Sequence, residues 1–265
     1  MKIGFIGVGN MGGALARAVS KTGDGEVLLY DKSEERAEAL AAEIGGVSSP
    51  LATLVREADF IFLGVKPNIL PFVLRDISPL LLGRPSYTLV SMAAGVAIRQ
   101  IEEALGFGAP VIRIMPNTPV AYGSGVILYT PSENVAPASV DAFRSMLREA
   151  GMLDAIDERL MDAASAISGC GPAFAFMFVE ALADGGVAAG LPRDRAQTYA
   201  AAMLAGAAKT VLESGMHPAE LKDAVCSPGG STIEGVVTLE NGGFRGTVSD
   251  AVLASFEKTK KLGKK

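Results

Sequence analysis

Three glycines near the start of the chain have the spacing with which a polypeptide binds the pyrophosphate of a dinucleotide. Ile6 ends an apolar run, and the turn that follows reads Gly7-Val8-Gly9-Asn10-Met11-Gly12. The first glycine permits a tight turn, the second lets the backbone approach the phosphates, and the third lets helix and strand pack closely. Free N–H groups at the helix start face the negative charge. This segment is predicted to bind a nicotinamide dinucleotide; the alternative is a glycine turn that binds nothing.

The residues after the second apolar run, Val27–Tyr30, bear on the choice between NADH and NADPH. Asp31 stands where an acidic side chain accepts a hydrogen bond from the ribose 2′-hydroxyl of NAD. Lys32, Ser33 and Arg36 are suited instead to the 2′-phosphate of NADP, although Ser33 also fits the N-cap of the following helix. The lysine favours NADPH as the cofactor, with NADH as the alternative.

Three further segments follow predicted strands at the edge where ligands gather in a doubly wound sheet. They are Val65-Lys66-Pro67, Ala93-Ala94-Gly95 and Asn117-Thr118. Small residues and prolines shape a backbone against which a planar cofactor lies, and the last two side chains are suited to the nicotinamide amide. Each segment alone is also compatible with an ordinary loop, but three at one edge favour cofactor binding.

Two glycine turns in the second half of the chain each lead into a helix start. They span residues 168–173, which begin at Ser168, and residues 227–232, which read Ser227-Pro228-Gly229-Gly230-Ser231-Thr232. Backbone N–H groups at such a turn are able to bind an anion such as a carboxylate. The alternative is plain helix capping.

The pattern of apolar residues divides the chain into two parts. Up to residue 155, short apolar runs alternate with helical patterns, which predicts an α/β domain with a doubly wound parallel sheet. Residues 125–155 predict a hairpin-like extension of that sheet. From residue 156 to residue 265 only helical patterns follow one another, with Pro172, Pro192 and Pro218 at helix starts. The second domain is therefore predicted to be all-helical.

Composition excludes several classes of protein. The net charge is −5 and no basic stripe is present, so a nucleic-acid partner is not expected. Two cysteines and one histidine provide neither a disulfide framework nor a metal site. The longest apolar stretch, Ala173–Leu191, contains Glu180 and Asp184, which indicates a buried helix and not a membrane span. No signal peptide is recognisable, and we expect a cytoplasmic protein.

These motifs, taken in order, resemble the pyrroline-5-carboxylate reductase family. The match is carried by FIGVGNMG (5–12), VKP (65–67), AAG (93–95), MPNTP (115–119), GCGPAFAF (169–176), ALADGGVAAGLPR (181–193) and SPGGST (227–232). The resemblance covers essentially the whole chain. It implies an N-terminal Rossmann-type domain, a helical domain that interlocks in a homodimer or larger assembly of dimers, and reduction of Δ1-pyrroline-5-carboxylate to L-proline by NAD(P)H.

The resemblance also implies roles for particular residues. Thr232 would place its hydroxyl at the ring nitrogen of the substrate, and Ser231 with Gly230 and Gly229 would bind its carboxylate. Glu158 is a further candidate for substrate binding, although an exposed glutamate in a first helical turn is the alternative. The chain departs from the family's usual residues at three positions, which are Cys170 for serine, Phe174 for tyrosine and Ala224 for asparagine.

The chain has a single histidine, His217, which is predicted to be a surface loop residue. A carbonyl reductase needs a positioned acid, whereas an iminium substrate brings its own proton. A β-hydroxyacid dehydrogenase would need a catalytic lysine in the helix that enters the second domain, and Pro172–Ala189 contains none. A non-catalytic dinucleotide-binding regulator would have no reason to keep both SPGGST and MPNTP.

Overall fold

The computed structural model describes residues 1–262, which fold into two compact units. Met1–Cys170 and the segment that begins at Ala254 form the first unit, and Gly171–Leu253 form the second. The sequence predicts a domain boundary at residue 155, where the strand patterns end. The units divide later because the first helix after that boundary carries Met161, which packs on the sheet residues Met115 and Leu128.

The sheet of the first unit confirms the predicted α/β class. Its strands are β1 (Lys2–Ile6), β2 (Glu26–Tyr30), β3 (Val47–Ser48), β4 (Phe60–Leu63), β5 (Thr88–Ser91), β6 (Val111–Pro116), β7 (Gly125–Pro131) and β8 (Gly151–Ala155). The spatial order is β3-β2-β1-β4-β5-β6-β7-β8. Strands β1 to β6 are parallel, β7 pairs antiparallel with β6, and β8 pairs parallel with β7. The order reverses between β1 and β4, which is where such sheets bind ligands.

Helices cover both faces of this sheet. They are α1 (Asn10–Thr22), α2 (Glu34–Ile44), α3 (Leu51–Glu57), α4 (Leu70–Leu81), α5 (Ile98–Leu105), α6 (Pro137–Met146) and α7 (Glu158–Ser168). Alternate residues of one strand face opposite sides: Phe60 and Phe62 pack with α1, α2 and α6, whereas Ile61 and Leu63 pack with α3, α4 and α5. This double burial explains the continuous apolar runs of the sequence.

The second unit is helical, as the sequence predicts. Its helices are α8 (Gly171–Ala188), α9 (Arg193–Ser214), α10 (Pro218–Ala224) and α11 (Ser231–Asn241), and α12 (Phe244–Leu262) begins in it. Pro218 occupies the first turn of α10, where its missing N–H is not needed. His217 is the exposed N-cap of that helix, and its Nδ1 accepts a hydrogen bond from the Ala219 N–H at 3.2 Å.

Helix α8 is not buried as predicted. Against the described residues of the single chain, Phe176 and Met177 are 64% and 68% exposed, and Ala183 is the buried side chain of α8. By length and composition alone, the helical stretch Glu158–Ala188 could cross a membrane, but helices of soluble proteins pass the same test. Asp184 of α8 forms an ion pair with Arg193, the first residue of α9.

The start of α7 depends on an aspartate whose charge is stabilised. The Oδ1 atom of Asp157 accepts a hydrogen bond from the Arg159 N–H at 2.9 Å, and its Oδ2 lies 2.7 Å from the Arg159 guanidinium. These bonds, from the side chain first and the backbone second, lower the pKa of Asp157 to about 2. The carboxylate therefore contributes stability above its unfolded-state pKa, and this contribution is lost as the pH falls toward 2.

We expect Asp157→Asn to reduce the acid sensitivity of the fold. Asparagine keeps the capping oxygen but lacks the charge, so the Tm of the variant will fall less than that of the wild type between pH 5 and pH 2. Thermal unfolding at several pH values and low salt measures this difference, since salt screens an exposed pair. An equal fall in Tm for both proteins would contradict the assignment.

Candidate functional site

The turn between β1 and α1 needs glycine at two of its three glycine positions for reasons internal to the protein. Gly7 has a φ of +91°, a backbone conformation that residues with a side chain rarely adopt. A Cβ atom at Gly12 would lie 2.1 Å from the Gly7 carbonyl oxygen. A Cβ atom at Gly9 would meet no protein atom within 4 Å, and the φ of Gly9 is −66°. The space in front of Gly9 is therefore open for a ligand to approach the backbone.

A fourth glycine, Gly64, completes the turn, and sequence reasoning missed its role. A Cβ atom at this position would lie 2.3 Å from the Gly7 carbonyl oxygen. The Gly64 N–H donates to the Ile6 carbonyl at 2.8 Å, and the Gly7 N–H donates to the Tyr30 carbonyl at 2.7 Å. The glycine turn thus lies in direct backbone contact with the ends of both neighbouring strands. A glycine directly after the run Phe60–Leu63 was the available signal.

Asp31 binds the glycine turn instead of standing free at the end of β2. Its Oδ2 accepts a hydrogen bond from the Val8 N–H at 2.9 Å, and its Oδ1 accepts one from the Ser33 N–H at 3.0 Å. The Arg36 guanidinium lies 3.5 Å from the same Oδ1. Both oxygens of the carboxylate are therefore engaged within the protein before any ribose is present.

One of the two cationic side chains predicted for a 2′-phosphate, Lys32, lines a cavity of about 370 Å³, whose lining also contains the carboxylates of Asp31, Glu34 and Glu38. Lys32 lines this cavity together with Tyr30 at the end of β2 and Ser49 after β3. Ser33 stands at the N-cap of α2, but its side chain makes no capping hydrogen bond. The alternative role of Ser33 as a capping side chain is therefore not realised.

The loops that follow β4 and β5 present mainly backbone at this edge of the sheet. The Lys66 carbonyl accepts hydrogen bonds from the N–H groups of Ile69 and Leu70, so Val65-Lys66-Pro67 leads directly into α4. In the next loop Ala93 is buried and Gly95 has a φ of +74°. The two loops follow the adjacent parallel strands β4 and β5, so they lie at the same edge of the sheet as the glycine turn after β1.

Asn117 connects three segments through a buried side chain. It is 7% exposed. Its Nδ2 donates to the Ser168 carbonyl at 2.9 Å, and its Oδ1 accepts from the Val126 N–H at 2.9 Å. For the predicted contact with nicotinamide this amide keeps one N–H of Nδ2 and the second lone pair of Oδ1. Thr118, by contrast, is exposed on the same loop, where it begins the short 3-10 helix Thr118–Tyr122.

A buried arginine and two partly exposed carboxylates form a cluster of charges between β6 and α7. The Arg113 guanidinium on β6 is 3.1 Å from Glu158 Oε1 and 2.7 Å from Asp162 Oδ1, both on α7. Glu158 Oε1 also accepts a hydrogen bond from the Ile98 N–H at 2.8 Å. The glutamate predicted to bind substrate is therefore engaged between β6 and α5. An arginine inside an apolar strand was the signal in the sequence, and it was missed.

The two glycine turns of the second half of the chain differ in what their backbones offer. In the first, the N–H groups of Gly169 and Cys170 both donate to the Ser165 carbonyl, so these two groups are not free to bind an anion. In the second, Gly229 has a φ of +68° and Gly230 is the extended N-cap of α11. The N–H groups of the first turn of α11 have no acceptor within the helix.

Comparisons with known proteins give a consistent result across the chain. A family model described as pyrroline-5-carboxylate reductase dimerisation matches residues 158–262, and one described as NADP oxidoreductase coenzyme F420-dependent matches residues 2–95. The pyrroline-5-carboxylate reductase of Escherichia coli (strain K12) is 41% identical over 267 residues, covering 99% of this chain and 98% of that protein. Pyrroline-5-carboxylate reductase 2 of Homo sapiens is 39% identical, covering 99% of this chain and 84% of that protein.

A solved structure extends the similarity to the fold. The pyrroline carboxylate reductase of Plasmodium falciparum, with NADP bound, superimposes with a TM-score of 0.90 at 34% identity. The match covers 99% of this chain and 98% of that one.

The different reasons for glycine at positions 9 and 12 generate a prediction. We expect Gly9→Ala to change the free energy of unfolding by no more than about 1 kcal/mol, because its methyl group meets no protein atom. It will weaken NADPH binding at least about tenfold, because the methyl group occupies the approach to the backbone. Gly12→Ala forces a contact with the Gly7 carbonyl and will cost stability, about 1–3 kcal/mol.

Thermal unfolding without nucleotide and titration with NADPH separate these effects. The two variants serve as controls for each other, since each adds one methyl group to the same turn. Loss of stability in Gly9→Ala, or unchanged NADPH affinity, would contradict the open approach at Gly9.

Proposed function

The chain belongs to the pyrroline-5-carboxylate reductase family, and we propose that it reduces Δ1-pyrroline-5-carboxylate to L-proline with NADPH as hydride donor, the last step of proline biosynthesis. The observation that carries this proposal is the glycine turn with an open approach at Gly9, in a chain that matches reductases of this family over 99% of its length. NADH is the alternative donor.

The residues of the first unit fit a bound nicotinamide dinucleotide. When bound, the dihydronicotinamide supplies the hydride that adds to the imine carbon. The backbone from Ile6 to Gly12 would hold the pyrophosphate, with the N-terminus of α1 toward its charge. The loops with Val65-Lys66-Pro67, Ala93-Ala94-Gly95 and Thr118 would hold the nicotinamide half, and Asn117 would position the last of them.

We assign substrate binding to the turn before α11. The N–H groups of Gly229 and Ser231 would bind the substrate carboxylate, whereas the Gly230 N–H donates to the Ser227 carbonyl at 3.0 Å and so shapes the turn. The Thr232 hydroxyl would form a hydrogen bond with the ring nitrogen and so orient the imine carbon. This nitrogen already carries its proton in the iminium form, so the electron pair of the C=N bond moves onto it without a protein acid. The engagement of His217 in capping α10 agrees with this requirement.

The preference for NADPH is supported by the contacts of Asp31. Its two oxygens already accept hydrogen bonds from Val8 and Ser33 N–H groups, which reduces its capacity to accept one from a ribose 2′-hydroxyl. Lys32, Ser33 and Arg36 would together bind the 2′-phosphate, because two cations and a hydroxyl match its charge and its acceptor oxygens.

We propose that residues 156–265 act as the substrate and dimerisation domain of a homodimer or larger assembly of dimers. Apolar side chains such as Phe176, Met177 and Leu212 are exposed on the single chain, and exposed apolar patches of this kind mark interfaces. The family model for dimerisation matches this region. Cys170 and Cys226 are unpaired, which suits the reducing cytoplasm that we propose as its location.

Activity of the purified protein tests the function directly. We expect the wild type to oxidise NADPH when pyrroline-5-carboxylate is added, with L-proline as product. Thr232→Ala will lower kcat at least about tenfold with unchanged NADPH affinity, and Thr232→Ser will retain most of the activity because the hydroxyl remains. Absorbance at the nicotinamide band and chromatography of proline measure the reaction. NADPH that binds but is not consumed would favour a regulator instead.

A charge-removing variant tests the cofactor preference. Lys32→Ala will raise KM for NADPH about tenfold and leave KM for NADH near the wild-type value, because only NADPH carries the 2′-phosphate. Lys21→Ala is the matched control, since Lys21 is another exposed lysine of the same unit, at the end of α1. Equal effects of Lys32→Ala on the KM values of both cofactors would show that this lysine does not bind the 2′-phosphate.

A further inference from the structure

We propose that Arg113 is a positioning residue for hydride transfer, acting through Glu158 and Asp162 on the loops that would hold the nicotinamide half. The inference rests on the proposed function and deepens it. Arg113 is 3% exposed and lies between Ile112 and Ile114 in β6, a strand paired on both sides. A permanently charged side chain at such a position needs partners, and the described residues provide two carboxylates from one helix.

The position of Arg113 on the sheet explains why it reaches two helices. Alternation along β6 places it on the same face as Val111, which packs with α4 and α5, and Met115, which packs with α7. The guanidinium therefore lies at the seam between the helices that follow β5 and β8. Through Glu158 Oε1 it is linked to the Ile98 N–H, the first helical residue after the loop Ala93-Ala94-Gly95.

The other end of α7 is connected to the same edge of the sheet. Ser168, its last residue, accepts a hydrogen bond from Asn117 Nδ2 through its carbonyl. Helix α7 is thus held at its first residue by Arg113 and at its last by Asn117. Both connections lead to loops that would contact the nicotinamide half, one after β5 and one after β6. Movement of α7 would displace both loops together.

Stability alone does not account for this cluster. A buried ion pair stabilises a fold weakly, and well-packed apolar residues in its place are often as good or better. Among the described residues, Arg113 Nε also has no hydrogen-bond partner despite its burial, which is unfavourable for folding. The cluster fixes the distance between two helices, which is a geometric role. Hydride transfer is sensitive to errors of about 1 Å in the positions of the reacting groups.

Three variants and a control test the proposal. Arg113→Lys keeps the charge but loses the fork that reaches both carboxylates, and Arg113→Met removes the charge. The triple variant Arg113→Met, Glu158→Gln, Asp162→Asn removes all charges and keeps an acceptor for the Ile98 N–H. The control is Arg84→Met, since Arg84 donates to the carbonyls of Val55, Ala58 and Ser86 at the opposite edge of the sheet.

We expect Arg113→Lys and the triple variant to lower kcat about tenfold or more with KM for pyrroline-5-carboxylate within about threefold of the wild type. Binding of 2′,5′-ADP, which lacks the nicotinamide half, will be unchanged, whereas NADPH affinity falls. The triple variant will recover the Tm that Arg113→Met loses but not its kcat. Arg84→Met will lower Tm and leave kcat unchanged.

Recovery of both Tm and kcat in the triple variant would overturn the proposal, because neutralising the carboxylates would then be the whole effect. Equal loss of 2′,5′-ADP and NADPH binding would also overturn it, as would a kcat of Arg113→Lys equal to that of the wild type. A wild type that does not reduce pyrroline-5-carboxylate would refute the proposed function only. The difference between NADPH and 2′,5′-ADP binding would still decide the role of Arg113.

Discussion

The nucleotide site depends on backbone packing around one atom, the carbonyl oxygen of Gly7. A Cβ atom at Gly12 would lie 2.1 Å from it, and one at Gly64 would lie 2.3 Å from it. Helix α1 and the end of β4 therefore approach the turn as closely as they do only because both positions lack side chains. Asp31 fastens the same turn to β2 through the Val8 N–H. The protein itself makes the contacts of this turn at Gly12, Gly64 and Asp31, and the approach to Gly9 stays open to a ligand.

The two units differ in how completely they bury their apolar side chains. The first unit covers both faces of its sheet with its own helices, so strands β4, β5 and β6 are fully buried within the single chain. The second unit leaves apolar side chains such as Phe176 and Met177 exposed, which a partner would cover in the proposed dimer. Substrate binding at the turn before α11 would therefore depend on an assembled second unit, whereas the first unit is preformed for nucleotide binding.

Local patterns in the sequence predicted the parts of this protein that depend on local physics. The apolar runs predicted strands β1, β2 and β4 to β8, and the glycine spacing predicted the turn. The two-residue strand Val47–Ser48 was missed because it is too short to show a pattern. The burial of Ala173–Leu191 was predicted wrongly for the single chain, because an apolar composition does not show whether the rest of the chain packs against a helix.

The remaining differences involve pairs of residues distant in the sequence. Asn117 and Glu158 were predicted to bind ligands because of their polarity and their place in motifs, yet their bonds to Ser168, Arg113 and Ile98 lie inside the protein. A polar side chain at the end of a strand either contacts the ligand or forms hydrogen bonds that hold the ligand-binding loops in place. The residue type does not distinguish these two roles. When a bound cofactor supplies the chemistry, the protein contributes mainly geometry. The hydrogen bonds that Asn117, Glu158 and Asp31 make within the protein fit this geometric role, because they hold the loops and the glycine turn in place.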